Sequence, residues 1–286
     1  MPSAYCRPDL HCHSTCSDGT LPPTELAHHA HAAGVDLWAL TDHDTLAGQA
    51  AARAAACALG FAWVSGVEVS ATWAERTIHI VGLGVDVQHA PLQQMLQAHR
   101  ASRQPRARAM AQQLDALGIP DSYAGALRHV THPDLLSRTH FARYLVECGR
   151  CRSVAEVFRH YLSAGNPGYV PPQWTSLTQV VAHIRAAGGI AVLAHPGRYR
   201  LTPQQETALF DAFGAAGGQA LEVATSTHSP SQVQHYAAVA QQRGWAASCG
   251  SDFHSPQESR HSLGQVPALP SRLQPVWSLL EQHIAA

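Results

Sequence analysis

The stretch DLHCHSTCSDGT, residues 9–20, decides how the rest of the chain is read. Side chains of a strand alternate between its faces, so His11 and His13 project to one side and Cys12 to the other. Asp18 follows in a turn that contains Gly19. Two imidazoles and a carboxylate converging at a strand end make a candidate cation site, provided other strands deliver donors to the same end.

Outward from this stretch, short apolar runs alternate with helical patterns. AYCRPDL reads as a first strand, and TELAHHAHAAG as a helix capped by Thr24 and ended by Gly34. VDLWAL is a second strand, followed by an alanine-rich helix over residues 46–59 that stops at Gly60. FAWVSGVEV and TIHIVGLGV are the third and fourth, joined with no room for a helix. SLTQVVAHIRAAGG is a helix and IAVLAH a strand, and QALEVAT and WAASCG are two more strands, each preceded by a helix. Seven strands mostly separated by helices predict a parallel α/β architecture. A distorted seven-stranded barrel is favoured over an open sheet, because polar residues gather at strand C-terminal ends, where barrels carry their reactive face.

Residues 89–168 interrupt the alternation. PLQQMLQAHRASRQPRARAMAQQLDALG is helical except around Pro105, SRTHFARYLVECG is helical, and SVAEVFRHYLSAG opens with a Ser153/Glu156 capping box. The expected organisation is a barrel of residues 1–88 and 169–286 carrying a small helical insertion, 89–168, over its mouth.

Composition narrows the functional classes. With 45% hydrophobic residues among 286, the chain can bury a sizeable core. Its 19 basic and 20 acidic residues provide no global attraction for nucleic acid or an anionic membrane, so any attraction for phosphate has to be local. All 19 basic residues are arginines, and ten lie between Arg100 and Arg159, which makes the insertion the candidate holder of an anionic substrate. Seven unevenly spaced cysteines and a start without an apolar run point to a cytoplasmic address. The CxxC of Cys148 and Cys151 has no second pair and is read as incidental.

The polar residues at strand ends are His11, His13, Asp18, His43, Glu68, His195, Asp252 and His254, and His79 must point inward from within its strand to join them. Six imidazoles and three carboxylates exceed what one catalytic ion uses, so two or three ions are expected, with a carboxylate such as Glu68 or Asp252 bridging. Nitrogen and oxygen donors without cysteine suit Mn²⁺, Fe²⁺ or Zn²⁺. The HHAH run at 28–31 is read as a helix face.

DLHCHS, TDHD, GVE, HIVGLG, AHPGR and GSDFH, in that order, resemble the motifs of the PHP (polymerase and histidinol phosphatase) superfamily. Within it the chain is most similar to the stand-alone bacterial members of the TrpH or RNase AM type, to which SRTHFAR, YVPPQW and AHPGRY add. The resemblance implies the seven-stranded barrel and three divalent ions, manganese first. One ion would lie among His11, His13, Glu68 and Asp252, a second among Glu68, His79 and His195, and a third among Asp18, His43 and His254. It also implies a phosphoric ester hydrolase that removes the 3′-phosphate of nucleoside 3′,5′-bisphosphates, with 5′-3′ trimming of short RNA as a related activity. Histidinol-phosphate phosphatase, amidohydrolase and a non-catalytic module are the alternatives.

Clustered divalent ions suit phosphoester hydrolysis, and no serine or cysteine lies in a recognisable nucleophile motif, so water is the expected nucleophile. His43 and His195 are catalytic candidates together with Asp42, which either orients a ligand imidazole or carries a proton to the leaving oxygen. Ser137, Arg138, His140, Arg198 and Tyr199 are the substrate-binding candidates. Tyr199 and Trp174 offer either stacking surface or ordinary packing. Arg143 and the arginines at 100–108 read as a solvated helix face, and Glu222 as a structural residue or a sugar contact. The expected partner is a small nucleotide or short 5′-phosphorylated RNA. Duplex DNA, membranes and an obligate protein partner are not expected, since a short ligand needs a pocket and no basic stripe.

Overall fold

A two-residue turn bends the chain at Ala74 and Glu75, both at positive φ (45° and 61°), as hairpin turns that match strand twist require. It joins β4 (Gly66–Trp73) to β5 (Arg76–Leu83) in antiparallel register, because a parallel link needs a crossover of a dozen residues or more. The structure, a computed structural model, describes residues 5–259 and 261–285. Ala4 of the expected first strand therefore lies outside the described residues.

Among the described residues, eight strands form two sheets. β1 (Pro8–Asp9), β2 (Leu37–Trp38) and β3 (Ala62–Trp63) pair in parallel in that order. The second sheet runs β4, β5, β6 (Ile190–Leu193), β7 (Ala220–Thr225) and β8 (Ala246–Gly250). β5 is antiparallel to both neighbours, whereas β6, β7 and β8 are parallel. The expected seven-stranded barrel is not reproduced as drawn. FAWVSGVEV is not one strand: it breaks at Val64 and Ser65, where the Ser65 hydroxyl donates 2.7 Å to the Val85 carbonyl and the chain leaves one sheet for the other. No continuous ladder joins the two sheets among the described residues, but backbone bonds link their margins: Leu10 N to Cys249 O at 3.1 Å, Asp252 N to His11 O at 2.7 Å and His13 N to Phe253 O at 2.8 Å on one side, and Glu68 N to Thr41 O at 3.1 Å and Asp44 N to Glu68 O at 2.9 Å on the other.

The helices cover the sheets' outer faces. α1 (Pro23–Ala32) starts with Pro23 in its first turn, where the missing N–H costs nothing, so Thr24 lies inside the helix and is not its cap. His28, His29 and His31 form its exposed face. α2 (Gln49–Leu59) ends at left-handed Gly60, as expected, but begins three residues later than expected. α3 (Ala90–Ala116) runs unbroken through Pro105, contrary to the expected interruption. Side-chain bonds from Arg100, Arg103 and Arg106 fasten it on both sides of the lost backbone bond. Beyond it come α4 (Ser122–Leu127), α5 (Arg138–Glu147) and α6 (Val154–Val157), then a π-helical turn over Phe158–Leu162. Ser153 caps α6, but the Glu156 carboxylate bonds Arg152 N instead of closing a box on Ser153.

α7 (Leu177–Ala186), α8 (Pro203–Ala215) and α9 (Pro230–Arg243) return the chain to the second sheet. Alternation places Val67, Val69 and Ala71 of β4 against α3 and α7, leaving Glu68 and Ser70 for the opposite face. A separate apolar cluster, Met110, Leu114, Phe141 and Leu145 among its members, has its buried residues within 107–162, with Val170 packed against it. Leu92, Met95 and Leu96 instead join the cluster of β4, β5 and α7, so packing is continuous across residue 89. Among the described residues no helix is long and apolar enough to cross a membrane.

Candidate metal centre and anion cleft

Glu68, fully buried on β4, stands at the middle of a nest of imidazoles. Its Oε1 lies 2.9 Å from His79 Nδ1, 3.0 Å from His195 Nε2 and 3.3 Å from His11 Nε2. Its Oε2 lies 2.8 Å from His43 Nδ1 and 3.3 Å from His13 Nε2. Asp252 Oδ1 is 3.2 Å from His13 Nε2 and 3.6 Å from His11 Nε2, and Asp18 Oδ1 is 3.4 Å from His254 Nε2. All nine expected donors thus converge. Four overlapping groups place their donor atoms within 4.8 Å of one another: His13, Asp18, His43 and His254; His11, Glu68 and His195; His11, His13 and Asp252; His43, Glu68 and His79. This sharing differs from the implied partition, in which His13 served only the first ion and His43 only the third.

Local structure explains the convergence. Cys12 turns its thiol to Trp38 Nε1 and the Ala39 carbonyl, which keeps His11 and His13 inward. A Cβ at Gly250 would collide with His11, so only glycine lets β8 pass beside that ligand. His195 and Asp252 have positive φ (28° and 53°), rare for residues with a Cβ and held only where surroundings over-determine them. His195 N donates 2.6 Å to Glu222, and Asp252 N donates 2.7 Å to the His11 carbonyl.

The residues fit divalent cations. Among the described residues, His11 Nε2, both nitrogens of His13, Asp18 Oδ1, His43 Nδ1, Glu68 Oε2 and His79 Nδ1 are buried and find no hydrogen-bond partner, although donors and carboxylates crowd within 4 Å. Buried polar atoms ordinarily find partners, and lone pairs aimed at a shared centre find one in an ion. Charge points the same way. Burial would raise the Glu68 carboxyl, but His43, His79 and His11 hold it well below its usual range, and Asp18 and Asp252 are likewise depressed against burial. Burial and the neighbouring His254 and His43 rings push His13 down to about 3. Burial would lower His43 too, yet Glu68 and Asp18 raise it to about 9, so the anionic nest draws in protons when no metal ion is bound.

The other expected site residues are distributed differently. Asp42 touches none of the nest's imidazoles: its oxygens accept from Ser14 N, Ser14 Oγ and Ser17 Oγ at 2.6–2.7 Å and fix the loop that carries His13 and Asp18. The carboxylate that bonds a ring of the nest is instead Glu222, whose Oε1 lies 3.0 Å from His11 Nδ1. His140 is buried, and its Nδ1 accepts from Ser137 N at 2.9 Å in the capping box of α5. The Tyr199 hydroxyl accepts from His79 N and donates to the Ala194 carbonyl, both 2.9 Å, so this ring is a brace packed edge-on against His195. Arg198 is paired with Asp252 at the half-open rim.

A cleft is lined by His43, His79 and Asp18 together with Ser137, Arg138, Arg103, Arg106 and Trp174. Of the arginines read as a solvated helix face, Arg103 and Arg143 are buried and Arg100 and Arg106 half-buried, whereas Arg108 is exposed as expected. Arg103 pairs with fully buried Asp44, Arg106 Nε donates 2.9 Å to the Val170 carbonyl, and Trp174 lies against both guanidinium groups. Arg103 Nε, Arg106 Nη2 and Trp174 Nε1 have no partner among the described residues. Arg143 is nine-tenths buried in a pair with Glu258. The signal for Arg103 and Arg106 was in the sequence, since arginines at 100, 103 and 106 recur on one helix face. What covers that face was not.

Fold and nest together define a class: an α/β protein with buried side-chain clusters fitted to divalent cations. Residues 9–104 match the PHP domain model, and the chain belongs to the PHP domain family. The 3′,5′-nucleoside bisphosphate phosphatase of Chromobacterium violaceum is 46% identical over 276 residues, covering 96% of this chain and 97% of that protein. The 5′-3′ exoribonuclease Rnm of Salmonella typhimurium is 42% identical, over 96% of this chain and 94% of its own. A solved structure of an amidohydrolase from Chromobacterium violaceum, with sulfate and no metal bound, matches with a TM-score of 0.95 at 45% identity over 98% of each chain.

Proposed function

We propose that this chain is a metal-dependent phosphoesterase that hydrolyses the 3′-phosphate of nucleoside 3′,5′-bisphosphates and trims short 5′-phosphorylated RNA from its 5′ end. The observation that carries the reading is a single cleft lined both by His43, His79 and Asp18 of the nest and by Arg103, Arg106 and Arg138. A nucleotide anchored by its 5′-phosphate in the recess of these arginines would present its next phosphate to the nest. In a bisphosphate that is the 3′-phosphate, and in RNA it is the next linkage. Guanidinium groups bind phosphate oxygens through paired donors, which favours a phosphate ester over the neutral amide of an amidohydrolase. The identities of the phosphatase and exoribonuclease relatives support the same reading.

The nine donors His11, His13, Asp18, His43, Glu68, His79, His195, Asp252 and His254 would hold three ions, manganese first and zinc or iron next. When bound, these ions supply the Lewis acidity that polarises a phosphoryl group and acidifies water. The chain's own contribution is positioning. Trp174 and Arg138 close the recess, and Glu222 fixes the His11 ring so that Nε2 faces the nest. His43, a fifth of whose side chain or less is exposed, stands where nest meets cleft and is the candidate to meet the substrate. We read the two sheets as arcs of one distorted barrel, and the free state of all seven cysteines as fitting a cytoplasmic address. A recess of this kind suits a nucleotide or a single RNA end, and neither duplex DNA, a membrane nor an obligate protein partner enters the reading.

The test is product analysis with Mn²⁺-loaded protein and adenosine 3′,5′-bisphosphate, with histidinol phosphate run in parallel. Phosphate and 5′-AMP, lost in His43→Ala, are expected. Turnover of histidinol phosphate alone would overturn the substrate class while leaving a phosphatase. Turnover of neither would overturn the activity.

A further inference from the structure

Helix α5 reaches across from the insertion and holds the Asp18 loop twice. The Thr139 hydroxyl donates 2.8 Å to Asp18 Oδ2, and one turn later Arg143 Nη2 donates 2.7 Å to the Asp18 carbonyl. Residues four apart share a helix face, so one stripe of α5 grips both ends of this residue. Arg143 also pairs through Nε and Nη2 with Glu258 at 2.7 and 2.8 Å, four residues beyond His254. The two chain segments that bring Asp18 and His254 to the nest are thus tied to one guanidinium.

Asp18 Oδ1, by contrast, is buried without a hydrogen-bond partner and points at His254, His13 and His43, at 3.4, 3.9 and 3.9 Å. A carboxylate that accepts a hydroxyl on one oxygen is held in a single rotation, with the other oxygen left free for an ion. We infer that Thr139 is a positioning residue for the ion site formed by Asp18, His13, His43 and His254, and that the insertion is thereby part of the metal centre and not only a substrate lid. The inference rests on reading the nest as an ion site.

The test measures ions, not turnover. Metal-stripped protein is titrated with Mn²⁺, free ion is followed by electron paramagnetic resonance, and bound metal per chain is measured by mass spectrometry. Thr139→Val, which keeps the shape and removes the donor, is expected to weaken one ion by about 10- to 100-fold and leave the others as in the wild type. Thr139→Ser is expected to restore it. If valine disturbs α5, as circular dichroism would reveal, Thr139→Ala is read in its place. Wild-type binding of every ion by the valine or alanine variant, or equal weakening of all ions, would overturn the positioning role while the ion reading stood. A wild-type protein that binds no divalent ion would overturn both.

Discussion

Glu222 holds His11 and the backbone of His195 with one carboxylate: Oε1 lies 3.0 Å from His11 Nδ1, and Oε2 accepts 2.6 Å from His195 N. The residue is buried on β7, beside β6, which leads into His195, and across β8 from β1, which leads into His11. Such a partner fixes the tautomer, so that Nε2 of His11 presents a lone pair to the nest.

Glu222→Gln should therefore weaken divalent-ion binding by about 10- to 100-fold with the fold retained. Titration with Mn²⁺ beside a circular dichroism spectrum decides it. Unchanged affinity would mean that Glu222 only packs.

Ion binding should stabilise the chain and release protons. His43 is raised to about 9 in the ion-free nest, so at pH 7 to 8 it carries a proton that an incoming ion must displace. Apparent affinity should accordingly rise with pH up to about 9, and calorimetry in buffers of different ionisation enthalpy should record the release. At a free-ion concentration of 100 times the dissociation constant, the gain in unfolding free energy is about 2.7 kcal/mol. A melting temperature indifferent to Mn²⁺ and chelator would rule this out.

Asp44, buried at positive φ beside His43, accepts from Ser70 N at 2.9 Å and pairs with Arg103. Asp44→Asn leaves the Arg103 charge buried without its counter-ion, which should cost about 3–5 kcal/mol in chemical denaturation. A loss below about 1 kcal/mol would show that Arg103 escapes to solvent.

Arg106→Met should raise KM for the bisphosphate by about 10- to 100-fold, the value of a charge-assisted hydrogen bond. A phosphate ester lacking the 5′-phosphate should be unaffected. Equal loss on both substrates would remove Arg106 from the 5′-phosphate recess.

His140 supplies a pH dependence. Burial pushes its imidazole from 6.5 to about 3, so it stays neutral in the folded chain while the unfolded chain takes up a proton below pH 6.5. Its share of stability is complete above pH 6.5 and is lost as pH falls toward 3, at up to about 1.4 kcal/mol per pH unit. His140→Asn, which keeps an acceptor for the cap without titrating, should lose less stability than the wild type between pH 6 and 4. Parallel pH curves would contradict the assignment. Asp44 adds a slope of the same sign at the acid end: against burial, Arg103 and His99 hold its folded carboxyl far below the ordinary 3.8, so only the unfolded chain takes up that proton as pH falls toward this value, and the term is common to the wild type and the variant.

Local rules made much of this legible. Strand alternation in DLHCHS correctly put His11 and His13 together and Cys12 away from them, and the polar residues at strand ends formed one pool of donors that do meet. Motif order carried the family resemblance. Sequence reasoning failed where a side chain's partner lies far along the chain: Asp42 beside His43 serves serines 25 and 28 residues earlier, and Glu222 finds a ring 211 residues away.

By itself, the sequence determined which residues can donate to a cation and on which side of each strand they stand, because backbone periodicity fixes both. Only the tertiary structure decided that the arginines of α3 line a cleft, that FAWVSGVEV divides between two sheets, and that α5 grips Asp18 from the insertion. These depend on which surface comes to cover which, and burial, which turns a solvated charge into an ion pair or a waiting donor, is a property of the packed whole.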